Sequence, residues 1–226
     1  LSDNLAADGA NEMPALLRAR EAADAVGLPL MIHTPRSSLS MKQVLNEMRP
    51  GDVLTHSFHG HRCGILDSEM KVLPEILKKV DEGLLLDIGH GQGSFTYEVA
   101  RAAMSQGVIP HTISSDLHAY NLHGPVFDLA TTINKFLHLG MELDEAIRRV
   151  TTIPAEFLRM ENEIGTLKDG AIADIVVVEM MEGSFEMTDA FGETEIGGYQ
   201  LEPRYIFRAG QQVGVVNKPK QLGKVG

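Results

Sequence analysis

An α/β fold built on parallel strands, either a barrel or a doubly wound sheet, is predicted by three features of the sequence. Apolar residues at helical spacing alternate with short apolar runs, the runs end at regular intervals, and the pattern gives way to Gly-punctuated short runs after about Ile164.

The elements follow in order. Apolar positions in residues 13–26 recur at helical spacing and stop at Gly27, after which residues 28–32 form a strand-like run. A helical stretch over residues 41–48, closed by Pro50 and Gly51, precedes the run Val53–Thr55. A third unit places a helix over residues 72–80 before a strand over 84–88, and a fourth places Tyr97–Ser105 before 111–114. The strand ends near His33, His56, Asp87 and Asp116 lie 23, 31 and 29 residues apart, about one βα unit each. Helices are expected to continue over residues 126–139 and 143–150, with a short one after Pro154.

Beyond that the grammar changes. Residues 172–178 read as a strand after a Gly170 turn, and Gly183, Gly192, Gly197, Gly198 and Gly210 separate short β pieces up to Val216. The expected division is residues 1–163 for the α/β part and 164–226 for a small β-rich appendage. Its tail, from Asn217 through Lys218, Pro219 and Lys220, reads as a flexible end.

Composition narrows the function. With 226 residues and 43% hydrophobic content, the chain buries a sizeable core. A formal charge of -11, spread along the chain, argues against a nucleic-acid partner and for a small-molecule substrate. A single cysteine, Cys63, has no internal partner for a disulfide, which points to a reducing, cytoplasmic setting. No apolar run approaches the roughly 20 residues of a membrane span, so no membrane partner is expected. The chain opens on a polar, acidic stretch from Leu1 rather than on a Met or a basic signal sequence, which reads as processing or as a fragment.

Three strand ends finish in side chains able to hold a metal: His33, His56 and Asp116. In a parallel barrel the C-terminal strand ends converge on one face, so such residues meet although far apart in sequence. Imidazole nitrogens and a carboxylate oxygen suit zinc or a similar divalent ion. A lone histidine ending a strand is more often a hydrogen-bonded structural residue; the force lies in the set of three.

The segments Leu28-Pro-Leu-Met-Ile-His33, Leu54-Thr-His56, Asp87-Ile-Gly-His90-Gly and Ser114-Ser-Asp116-Leu-His118 stand in the order found in metal-dependent hydrolases of the amidohydrolase superfamily. The chain resembles the dihydroorotase-like, deacetylase-type branch, and Gly165-Thr-Leu-Lys-Asp-Gly170-Ala-Ile-Ala-Asp174 resembles the return from barrel to small β domain. The resemblance implies a partial TIM-type (β/α) barrel corresponding to strands five to eight. It further implies one or two divalent ions, zinc foremost, with His33 and His56 on one metal and Asp116 on the other. Asp116 would also shuttle the proton from the activated water to the leaving nitrogen.

The pattern of that branch also requires a His-x-His pair and, in binuclear members, a carboxylated lysine, both upstream of the position of His33. Here the first histidine is His33 and the first lysine is Lys42. The first four barrel strands are therefore expected to be missing, and the exposed edges of a cut barrel favour self-association as a homo-oligomer. The pair His59-Gly60-His61 spells His-x-His but follows His56, and reads as a loop decoy. His90, in a Gly-flanked loop, and His118, two residues past Asp116, are candidate substrate contacts, against the simpler reading of solvated loop residues. Asp87 reads as bonded to backbone, the 11 methionines as core filler and Glu161, Asn162 and Glu163 as a solvated face.

The expected function is hydrolysis of an amide or other C–N bond in a cyclic amide or N-acyl substrate, by a chain that is an incomplete part of the enzyme. The alternative is a truncated, non-catalytic binding or subunit-like module. A doubly wound nucleotide-binding domain is disfavoured because no Gly-x-Gly-x-x-Gly follows a strand.

Overall fold

A computed structural model of the chain describes residues 1–2 and 9–215. The tail expected from Asn217 onward lies outside the described residues. The fold is mixed α/β and divides into two compact units, Leu1–Thr112 and Ile113–Gly226.

In the first unit α1 (Glu12–Val26), α2 (Met41–Glu47), α3 (Pro74–Asp81) and α4 (Tyr97–Ser105) alternate with β1 (Met31–His33), β2 (Val53–Thr55) and β3 (Leu85–Leu86). The strands are parallel in the order β1-β2-β3, and one further parallel bridge joins Asp87 to Thr112. Caps explain the boundaries. Gly27 closes α1 in the left-handed conformation (φ 67), where glycine carries no Cβ penalty, and its N–H turns back to the α1 carbonyls. Ser40 and Gln43 form a reciprocal capping box at the start of α2.

The first strand lies slightly later than expected, over Met31–His33. The cause is Asp52, buried at 2% exposure, which accepts the Leu30 N–H at 2.7 Å and the Arg49 N–H at 2.7 Å while pairing with Arg20 at 2.6 Å. The Leu30 N–H is thus taken by a side chain, while its carbonyl already accepts the Val53 N–H at 2.7 Å. Ile32, Leu54, Leu86 and Ile88 are buried from the sheet, and Val44, Leu45, Ile76 and Ala100 from the helices around it.

In the second unit α5 (Leu129–His138), α6 (Leu143–Arg148) and α7 (Thr152–Phe157) precede an antiparallel sheet of β4 (Ile175–Thr188), β5 (Thr194–Arg208) and β6 (Gln211–Val215), in that order. Instead of several short pieces, residues 175–208 form one long hairpin. Gly183 lies inside β4, within the register shift between Glu182 and Phe185, and Gly197 lies inside β5 where a Cβ would come 2.6 Å from the Met187 methyl. These glycines mark a bulge and a close approach rather than turns. The true turn is at Asp189, whose carboxylate accepts the N–H groups of Phe191 (2.7 Å) and Glu193 (3.0 Å).

Candidate active site

His33 is the last residue of β1, and His56 directly follows β2. Because the two strands are adjacent and parallel, with His33 opposite Thr55, their C-terminal ends lie side by side. The two imidazoles meet edge to face with ring centres 4.5 Å apart. His56 stands in the left-handed region (φ 60), which turns the chain out of the strand at that residue.

The His56 ring is held by backbone: it donates its Nδ1–H to the carbonyl of Gly89 at 2.5 Å. Burial, reinforced by the neighbouring His56, pushes the pKa of His33 down to about 4. At neutral pH the ring is therefore an uncharged imidazole, the form a metal requires. A ring N–H fixed on a carbonyl is also the arrangement that orients histidine ligands. By donor chemistry these two side chains fit a divalent ion. Among the described residues, no group of three or more His, Cys, Asp or Glu side chains is drawn together closely enough to hold one.

His59 and His61 follow on the loop. His59 is 2% exposed, and its Nδ1 accepts the His61 N–H at 3.0 Å. Burial, with the nearby His61 next, pushes its pKa down to about 3. His90 is fully buried with its ring stacked on Phe95, centres 4.8 Å apart, and its Nδ1 lies 2.9 Å from the Gly91 carbonyl. The Asp87 carboxylate accepts hydroxyl protons from Thr55 and Thr112, both at 2.6 Å, and so braces neighbouring strands behind the histidines.

Asp116 belongs to the second unit, past the residues that bridge to the parallel sheet and outside any strand. It is exposed and left-handed (φ 46), and its carbonyl accepts the Asn121 side-chain amide at 2.8 Å. His118 is also exposed; its Nδ1 accepts the Tyr120 N–H at 3.2 Å and its ring stands edge to face with Tyr120. Asn121 is not among the residues the sequence points to, and Gly89 enters there only as a flank of His90, where glycine lets backbone approach a substrate closely; its bond to His56 carries no sequence signal.

Residues 4–197 match the model of the amidohydrolase family. The chain belongs to that family. Among its relatives, a deacetylase of Agrobacterium fabrum is 34% identical over 186 residues, covering 82% of this chain and 46% of the relative. A deacetylase of Enterococcus faecalis is 35% identical over 186 residues, covering 81% of this chain and 50% of the relative. The amidohydrolase thus spans about half the length of the curated relatives it matches. Of solved structures, an adenine deaminase superposes with a TM-score of 0.86 at 34% identity, covering 90% of this chain and 56% of that one. A dihydroorotase does so with a TM-score of 0.81 at 30% identity, covering 95% and 55%. No helix among the described residues is long and apolar enough to cross a membrane.

Proposed function

We propose that this chain carries the fifth-to-eighth-strand part of a metal-dependent amidohydrolase that hydrolyses an amide or other C–N bond in a cyclic amide or N-acyl substrate. The observation that carries the reading is the pair His33 and His56: two imidazoles at the ends of adjacent parallel strands, 4.5 Å apart, with His56 pinned on Gly89. Relatives named deacetylase, adenine deaminase and dihydroorotase support the C–N bond class.

His33 and His56 would hold one divalent ion, zinc foremost, through the ring nitrogens not engaged with backbone. A bound divalent ion supplies the field that makes a water acidic near neutral pH. Asp116 would accept that proton and return it to the leaving nitrogen, as an exposed carboxylate on a fixed loop can do. His118, exposed beyond it, would contact substrate; His90, buried on Phe95, would shape the loop that carries Gly89.

With two histidines from one strand pair and no third donor beside them among the described residues, the remaining ligands would come from sequence that the relatives have and this chain's match does not span. The test is to assay the chain with zinc on N-acyl amino acids and cyclic amides, beside a form extended at its N-terminus to the relatives' length. Turnover by the extended form alone, abolished by Asp116→Asn, is the expected result. Equal turnover by the short chain, abolished by the same substitution, would show the site complete as it stands.

A further inference from the structure

The loop after Asp116 is built around one buried side chain. Asn121 is 0% exposed, and its Nδ2 donates to the Asp116 carbonyl at 2.8 Å while its Oδ1 accepts the His118 N–H at 2.8 Å. Its own carbonyl accepts the N–H groups of Gly124 (3.1 Å) and Phe127 (3.2 Å). One residue therefore ties both ends of the loop. The far end is fixed again by Lys135 on α5, whose Nζ donates to the Pro125 carbonyl at 2.9 Å.

The backbone at Asp116 is the feature this explains. With φ at 46 it occupies the left-handed region, which is uncommon for a residue bearing a Cβ, is least costly for aspartate and asparagine, and is favoured where a local hydrogen bond supports it. Asn121 grips the carbonyl of that same residue. We propose that Asn121 is a positioning residue for Asp116: its side-chain amide holds the Asp116 backbone left-handed and thereby sets where the carboxylate stands. The proposal rests on the reading of Asp116 as the proton carrier. It goes beyond that reading by assigning the carboxylate's placement to a second, buried residue that touches neither substrate nor metal.

The chemistry selects asparagine. The position needs a donor toward the Asp116 carbonyl and an acceptor toward the His118 N–H from one short, planar group. Aspartate keeps the acceptor but sets an oxygen against an oxygen. Asn121→Asp therefore removes one interaction while preserving shape.

The experiment compares Asp116→Asn, Asn121→Asp and Asn121→Ser in the full-length, zinc-loaded enzyme, using the panel substrate turned over fastest. Metal-free wild type and Asn121 variants are compared in parallel by NMR. For a cooperatively folding Asn121→Asp, or for Asn121→Ser should the first not fold, kcat should fall about 10- to 100-fold with KM little changed. The acid limb of the pH–rate profile should move, and the Asp116 Cα and Cβ chemical shifts should leave the left-handed range. The proposal is overturned if a folded Asn121 variant keeps wild-type kcat and acid limb while Asp116→Asn abolishes turnover. Unchanged Asp116 chemical shifts overturn it as well. If Asp116→Asn retains full turnover, the proton-carrier reading has failed instead, and the chemical shifts alone decide whether Asn121 holds the Asp116 backbone.

Discussion

The Gly89 carbonyl accepts the Nδ1–H of His56 at 2.5 Å, an approach possible only because Gly89 has no side chain. A Cβ there would lie 2.6 Å from Thr55 Oγ1 and 2.7 Å from His56 Nδ1, and the φ of 46 is itself costly for any other residue. Thr55 cannot retreat, since its hydroxyl is tied to Asp87 at 2.6 Å. Gly89→Ala should destabilise the protein by about 1–3 kcal/mol. In a zinc-binding form it should also weaken affinity roughly 10- to 100-fold. The control is Gly198→Ala, where nothing lies within 4 Å. Equal urea midpoints for the two variants would break the argument.

A pH dependence follows from the buried histidines. His59, pushed down to about 3 by burial first and by His61 second, stays neutral in the fold, whereas the unfolded chain takes up a proton near the ordinary 6.5. A depressed affinity for protons means that its stabilising contribution is complete above pH 6.5 and is lost as pH falls from 6.5 toward 3. His33 adds to the loss between 6.5 and about 4. His59→Asn keeps an acceptor for the His61 N–H but cannot titrate. Urea unfolding of the metal-free chain at several pH values should therefore show a shallower acid loss in the variant, by a few kcal/mol over the whole window. Parallel curves would rule this out.

Much of the first unit was legible because its signals are local. The apolar spacing that ends at Gly27, the break at Pro50 and Gly51 and the isolated run Val53–Thr55 each act within a few residues, and the elements stand close to where the pattern put them. His33 and His56 were readable for the same reason: each ends an apolar run. The long hairpin was not, because Gly183 and Gly197 look like turns until the partner strand shows a bulge at one and Met187 packed against the other. Nor was the His56–Gly89 bond, since carbonyl partners carry no side-chain signature and lie far off in sequence.

Asn134 is the counterpart in the second unit. Buried on α5, it accepts the Leu201 N–H at 2.7 Å and donates to the Leu201 carbonyl at 3.2 Å. Strand β6 pairs with β5 only from Tyr205 to Arg208, so at Leu201 a side chain takes the place of a neighbouring strand. Asn134→Ala leaves two buried backbone groups unmet and should cost about 2–4 kcal/mol. Asn134→Asp, which keeps only the acceptor, should fall between. Faster exchange of the Leu201 amide in the alanine variant is the accompanying signature; wild-type protection there would contradict it.

Lys135 supplies the last prediction. Its side chain is fully buried on α5 with Nζ on the Pro125 carbonyl, and burial pushes its pKa down to about 7 against a weaker upward pull from Asp189. The fold thus binds the lysine proton less tightly than the unfolded chain, whose lysines titrate near 10.5. Burial of this lysine costs nothing at the top of that range; the penalty grows as pH falls from 10.5 and is complete below about 7. Lys135→Met removes the titration and leaves the Pro125 carbonyl without this donor, a cost that does not depend on pH. The difference in stability between wild type and variant should therefore move against wild type by a few kcal/mol between pH 10 and pH 7, and stay level at lower pH. Guanidinium unfolding of both proteins across that range measures it. A difference that does not vary with pH would mean that Lys135 keeps its proton in the fold as readily as in water. Because the same amine anchors Pro125, Lys135→Met should also speed amide exchange at Gly124 and Phe127, whose N–H groups bond to Asn121.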